Sequence, residues 1–105
     1  MSEAQVRDLI HSIGLPTFPR PKGIPNEYRI KLSKKPGGVK YVHRNDEGTY
    51  VRIMPGKPHS KNLKQQKPYV NQRINGQSID KNGNKVLNNS EESHILLEEF
   101  SFRSM

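Results

Sequence analysis

Residues 49–73 read TYVRIMPGKPHSKNLKQQKPYVNQR: two strand-like runs, each with an arginine, flank a polar loop crowded with lysine and glutamine. Side chains in a strand alternate between faces. From Thr49 to Met54, Tyr50, Arg52 and Met54 therefore share one face and Thr49, Val51 and Ile53 the other. In the run from Tyr69 to Ile74, Val70, Gln72 and Ile74 stand on one face and Tyr69, Asn71 and Arg73 on the other. Pairing the two runs is expected to gather Tyr50, Arg52, Tyr69 and Arg73 on one polar, cationic surface. Such a surface suits phosphate.

Outward from this stretch the chain reads as one α+β domain over 1–105: a helix in 1–14, a Pro-rich connector over 15–26, and an antiparallel sheet of four to six strands over 27–100. Ser2 and Gln5 have capping-box spacing, and Val6, Leu9, Ile10 and Ile13 recur at helical spacing, with Gly14 as a stop. That stripe is expected to dock on the sheet. Four prolines between residues 16 and 25 exclude helix and central strand there. Strands are expected over 27–33, 39–43 and 49–54, joined by short turns that favour a meander. Asn75 and Gly76 form a hairpin turn into a return strand over 77–80, and residues 93–97 lean towards a last strand. The loop over 55–68 is longer than a compact domain usually spends on a connection, and its lysines favour a functional role.

Composition narrows the function. The net charge is +8. Between Arg20 and Arg73, 14 Lys and Arg face 3 Asp and Glu, while the flanks are net acidic. A basic centre with acidic ends presents one face to a polyanion. A solvated lysine-rich surface gives the same count, and an acidic protein would use the same face. Leu, Ile, Val and Phe together make 24 of 105 residues, just above the composition of disordered chains, so a folded centre with loose ends is expected. The chain has no cysteine, no apolar run long enough to span a bilayer and no secretory signal layout, so a cytoplasmic protein without a membrane partner is expected.

His11, His43, His59 and His94 form no metal-ligand spacing and no phosphate-cradling glycine loop is present, so no metal and no small-molecule cofactor are expected. RNA cleavage needs neither, because the substrate carries its own nucleophile, the 2′-hydroxyl. It requires a base, an acid and cations at the phosphate. His94, His43 and His59 are candidates for proton transfer, Arg52 and Arg73 for the phosphate clamp, and Tyr69 or Tyr50 for a stacking or proton-donating ring. Lys57, Lys61, Lys64, Lys67, Gln66 and His59 are the candidate RNA contacts of the loop.

The segments GTYVRIMPGKPHS (48–60), QQKPYVNQR (65–73), DKNGNK (80–85) and SHILLEEF (93–100), in that order, resemble the C-terminal toxin domains of bacterial polymorphic and contact-dependent toxin systems. The resemblance covers about half the chain. It implies a ribonuclease of the group that includes barnase, EndoU, colicin and RelE-type toxins, with an N-terminal helix packed on an antiparallel sheet. Arg52, Met54, Gly56, Gln66, Tyr69, Arg73, Asp80 and His94 match the pattern; His59 stands where relatives often carry Asn, and Ser93 and Leu96 replace the Ala and Pro of the closing motif. The resemblance thus singles out His94, with Arg52, Arg73 and Tyr69, for metal-independent transesterification of RNA, with tRNA as one candidate substrate. It also implies an acidic immunity protein as partner and action in the cytoplasm of a target cell. A non-catalytic RNA-binding or ribosome-associated protein would use the same basic face without His94.

Overall fold

The computed structural model describes residues 2–104 except 36, 58 and 62–64. One helix, α1 (Glu3–Ser12), precedes six strands: β1 (Arg29–Leu32), β2 (Val39–His43), β3 (Asp46–Met54), β4 (Tyr69–Ile74), β5 (Gln77–Ile79) and β6 (Ile95–Leu96). The sheet is antiparallel throughout, in the order β1-β2-β3-β4-β5, and β6 returns to pair with β4. The fold is α+β.

The helix begins where the sequence places it. The Ser2 hydroxyl accepts the Gln5 backbone N–H at 3.2 Å and the Gln5 amide oxygen accepts the Ser2 N–H at 2.9 Å, the two halves of a capping box. Its apolar stripe is narrower than the spacing predicts. Val6 and Ile10 are buried, but Leu9 and Ile13 are 41% and 59% exposed. Ile13 already serves as the C-cap, so the helix ends before it can face the sheet, and Leu15 and Phe18 of the connector pack against the core in its place. The connector is held by Arg20, whose guanidinium reaches Glu3, donates to the carbonyls of Pro25 and Tyr28, and lies 4.8 Å from the Tyr41 ring centroid.

Alternation sorts the sheet into two faces. Val39, Tyr41, Val51, Ile53 and Val70 turn towards α1 and form the core. Gln72, on the same face, is buried because its amide exchanges two hydrogen bonds with the Arg103 backbone, which straps the C-terminal segment across β4. Phe102 of that segment meets Tyr28 edge to face at 5.8 Å. The β4-β5 hairpin turns through Asn75 (φ 51°) and Gly76 (φ 78°), the left-handed pair that two-residue hairpins require. The closing segment differs from a strand over 93–97. Only Ile95 and Leu96 pair with β4, flanked by 3-10 turns at Glu91–Ser93 and Leu97–Glu99. Among the described residues no helix is long and apolar enough to cross a membrane.

Candidate phosphate-binding face and its histidine

The second face of the sheet is built by register. Lys40 lies opposite Arg52 across β2-β3, Tyr50 opposite Arg73 and Arg52 opposite Asn71 across β3-β4, and Met54 opposite Tyr69. Alternation puts all of these side chains on the side away from α1. Tyr50 is buried beneath two cations: Lys40 Nζ stands 4.3 Å and the Arg73 guanidinium carbon 5.8 Å from its ring centroid. The ion pairs of the described residues are Arg7–Glu3, Arg20–Glu3, Lys31–Glu47 and Lys81–Glu99, so no carboxylate neutralises Lys40, Arg52 or Arg73. Burial pushes the Lys40 ammonium below the usual lysine value, and Arg52, Arg73, Lys34 and Lys31 push it the same way. The Nε atoms of Arg52 and Arg73 are buried without a hydrogen-bond partner. A cluster of cations held together without counter-charge attracts anions.

Asn71 joins this cluster to the closing segment. It is buried, its amide oxygen accepts from Arg52 Nη2 at 2.7 Å, and its Nδ2 donates to the Ser93 carbonyl at 2.7 Å. The next residue is His94. Its Nδ1 lies 2.7 Å from the Ser90 carbonyl, which can only accept, so Nδ1 carries the proton of the neutral ring and Nε2 holds the lone pair. Nε2 in turn accepts from the Gln65 amide at 3.1 Å, and the ring packs on Tyr69 with centroids 5.0 Å apart. Burial raises the Tyr69 phenol above its ordinary value, with Arg52 pulling the other way, so Tyr69 stays a neutral O–H at physiological pH. His94 is 9% and Tyr69 4% exposed.

Gln65 reaches His94 because the neck of its loop is pinned. Lys57 N–H donates to the Gln65 carbonyl at 2.6 Å, and a Cβ on Gly56 (φ +86°) would stand 2.6 Å from the Lys67 carbonyl carbon and oxygen. Glycine is required there for both conformation and contact. The Gln66 amide is spent inside the loop on the Ser60 carbonyl at 2.8 Å. Lys57, His59, Lys61 and Lys67 are exposed; Lys64 lies outside the described residues.

The structure thus brings Arg52, Arg73, Tyr69 and His94 onto one face and leaves Lys57, Lys61, Lys67 and His59 in solvent. His43 is elsewhere, edge-on to Tyr28 at 5.4 Å with its Nδ1 accepting the Asn45 N–H, and His11 is exposed in the last turn of α1. All four tyrosines are buried, so none offers an open ring for base stacking. Sequence reasoning missed Lys40, Asn71 and Gln65. Lys40 could have been found by extending the alternation one strand outward; alternation already put Asn71 on this face, but its bonds to Arg52 and Ser93, like the reach of Gln65, depend on tertiary contacts. Among the described residues no three His, Asp or Glu side chains converge as a metal site. No family model matches the chain, and neither does any curated protein or solved structure.

Proposed function

We propose that the protein is a small ribonuclease of the toxin type that cleaves RNA by metal-independent transesterification. One observation carries this reading: a continuous hydrogen-bonded path from Arg52 through Asn71 to the Ser93 carbonyl ties an uncompensated cation cluster to a histidine of defined tautomer. In this mechanism Arg52 and Arg73, with Lys40, hold the scissile phosphate and meet the charge that develops on it. His94 Nε2 takes the proton of the attacking 2′-hydroxyl or returns one to the leaving 5′-oxygen. Tyr69 supports the imidazole from below. The Gln65 amide must move aside for substrate, which places the basic loop over the RNA. The products end in a 2′,3′-cyclic phosphate.

The test is purified protein with total RNA in EDTA, sequencing of the new ends and mass spectrometry of the fragments. Cleavage is expected to survive the chelator. His94→Ala should lower the rate by about 10² to 10⁴ while RNA affinity persists. Arg52→Lys should also be damaging, because an ammonium cannot reproduce the planar fork of donors. Full activity of His94→Ala, or a strict Mg²⁺ requirement, overturns the mechanism. A second reading, RNA binding without catalysis, is favoured by the burial of His94 and by the partners on both its ring nitrogens. Tight salt-sensitive binding with no cleavage by the unmodified protein would select it. Under either reading an acidic immunity-type protein covering the cationic face should compete with RNA.

A further inference from the structure

Of the described lysines only Lys40 is not fully exposed, and its surroundings are unlike those of the rest. Lys31 and Lys81 have Glu47 and Glu99 at 3.6 and 3.1 Å. Lys40 has no carboxylate partner among the described residues. The charged groups that act on it are Lys31 of β1, Lys34 of the turn after it, Arg52 of β3 and Arg73 of β4, all of them cations. Its Nζ rests 4.3 Å from the Tyr50 ring centroid, which holds the side chain in one place on the open face of the sheet.

An amine so placed is prepared for reaction as well as for binding. Desolvation and neighbouring cations both favour its neutral form, the form that is nucleophilic. The arginines beside it keep hydrogen-bond donors in hand. Arg52 gives one N–H to Asn71, and Arg73 gives one to Asn89 at 3.5 Å, while the remaining donors of each guanidinium are left for an anion. Lys40 Nζ and the Arg73 guanidinium carbon stand 4.3 and 5.8 Å from one ring centroid, so they are no more than about 10 Å apart. A phosphate held by that guanidinium, with an acyl group on its outer oxygen, brings a carbonyl carbon to the roughly 3 Å distance of attack within this span.

We propose that Lys40 is a modification site for acyl phosphates, which dock their phosphoryl group on Arg73 and Arg52 and deliver their acyl carbon to Nζ. The neutral amine attacks that carbon. An amide C–N bond forms, the C–O bond to phosphorus breaks, and the N–H proton leaves with the phosphate as hydrogen phosphate. No oxidant, metal or second protein takes part. The product keeps the lysine stem over Tyr50 and loses its charge, so the modified chain holds any polyanion on this face less tightly. The step stands apart from the ribonuclease reading, because it needs no RNA.

The test is a time course of the intact protein with acetyl phosphate at neutral pH, the modified lysines being ranked by peptide mass spectrometry. Lys40 should be acetylated at least about tenfold faster than Lys34, Lys35, Lys57 or Lys61, the advantage of a docked donor over a freely diffusing one. Excess inorganic phosphate should remove that advantage, and sodium chloride of equal ionic strength should leave most of it. The uncharged donor acetyl N-hydroxysuccinimide ester serves as reference, since it reads the amine without the dock. The ratio of the acetyl phosphate rate to the ester rate at Lys40 should fall at least about threefold in Arg73→Gln; taking the ratio cancels any change in the neutral fraction of the amine. Uniform acetylation of the lysines, an advantage at Lys40 that phosphate does not reduce, or an unchanged ratio in Arg73→Gln overturns the assignment. Each result is read whether or not the protein cuts RNA.

Discussion

Replacing Lys40 with Met should stabilise the fold and weaken RNA binding together. Lys40 and Arg73 stand 4.3 and 5.8 Å from one Tyr50 centroid. Their charges are therefore within about 10 Å of each other, and at an effective dielectric of about 20 that repulsion is roughly 1.5 kcal/mol before salt. Screening at physiological ionic strength reduces it to about 0.5 kcal/mol. Arg52, directly opposite Lys40 in the register, adds a comparable or larger amount. Against this, the substitution loses the cation–π contact with Tyr50, about 0.5–1 kcal/mol at a partly exposed site, of which a methionine sulfur near the ring restores part. Repulsion outweighs that loss by about 0.5–1 kcal/mol, which for a domain of this size raises the melting temperature by roughly 2–8 °C. The gain should shrink in molar salt. For single-stranded RNA, losing one phosphate contact should flatten the slope of log affinity against log salt by about 0.7. The measurements are thermal melting at two ionic strengths and a salt titration of RNA binding. A lower melting temperature with an unchanged slope would show that Lys40 is a structural cover for Tyr50 and refute the anion site.

Three further outcomes follow from packing and charge. Ile10→Asp places a carboxylate in an apolar site that is 3% exposed and should cost several kcal/mol, enough to unfold much of the population, whereas Ile13→Asp should move the melting temperature by only a degree or two; equal effects would mean α1 is not docked as described. Gly56→Ala forces both a left-handed φ and a clash with Lys67, so it should cost about 1–3 kcal/mol and release Gln65 from His94, visible as a shift of the His94 ring protons; an unperturbed ring sinks that link. Burial raises the phenols of Tyr28, Tyr41 and Tyr69 above their ordinary 10.0, so their contribution is complete below pH 10 and is lost as pH rises through the folded values, while Lys40, shifted down, has its penalty relieved by the time pH passes its ordinary 10.5. Denaturant midpoints should therefore fall above pH 10, and a flat profile to pH 11 would count against this account.

The fold was legible wherever a local rule had a single answer. Capping-box spacing, the Asn75-Gly76 dipeptide and the alternation of β3 and β4 each depend on neighbours in sequence, and each stands in the structure. Leu9 and Ile13 were misjudged because periodicity shows which residues share a face, not how far that face extends before the chain turns away. The region 93–97 resisted because consecutive Ile95, Leu96 and Leu97 fit either period, and the structure divides them between a two-residue strand and a 3-10 turn. At the site, alternation placed Arg52, Arg73 and Tyr69 together. The contact of Gln65 with His94 was beyond it, because that reach is set by the closed neck at Gly56.

The return of β6 to β4 divides the site by folding order. β1 to β5 join neighbours through short hairpins except at the 55–68 loop, so most of their contacts are local and should form early. Lys40, Arg52 and Arg73 all belong to that meander. His94 arrives only when the segment after β5 closes a far longer loop onto β4, so the cationic half should exist before the half that holds His94 is seated. Under the proposed function, a chain caught between these stages would hold RNA without cutting it, and pulse-labelled hydrogen exchange reads the order directly: protection at β3 and β4 should precede protection at Ile95 and Leu96.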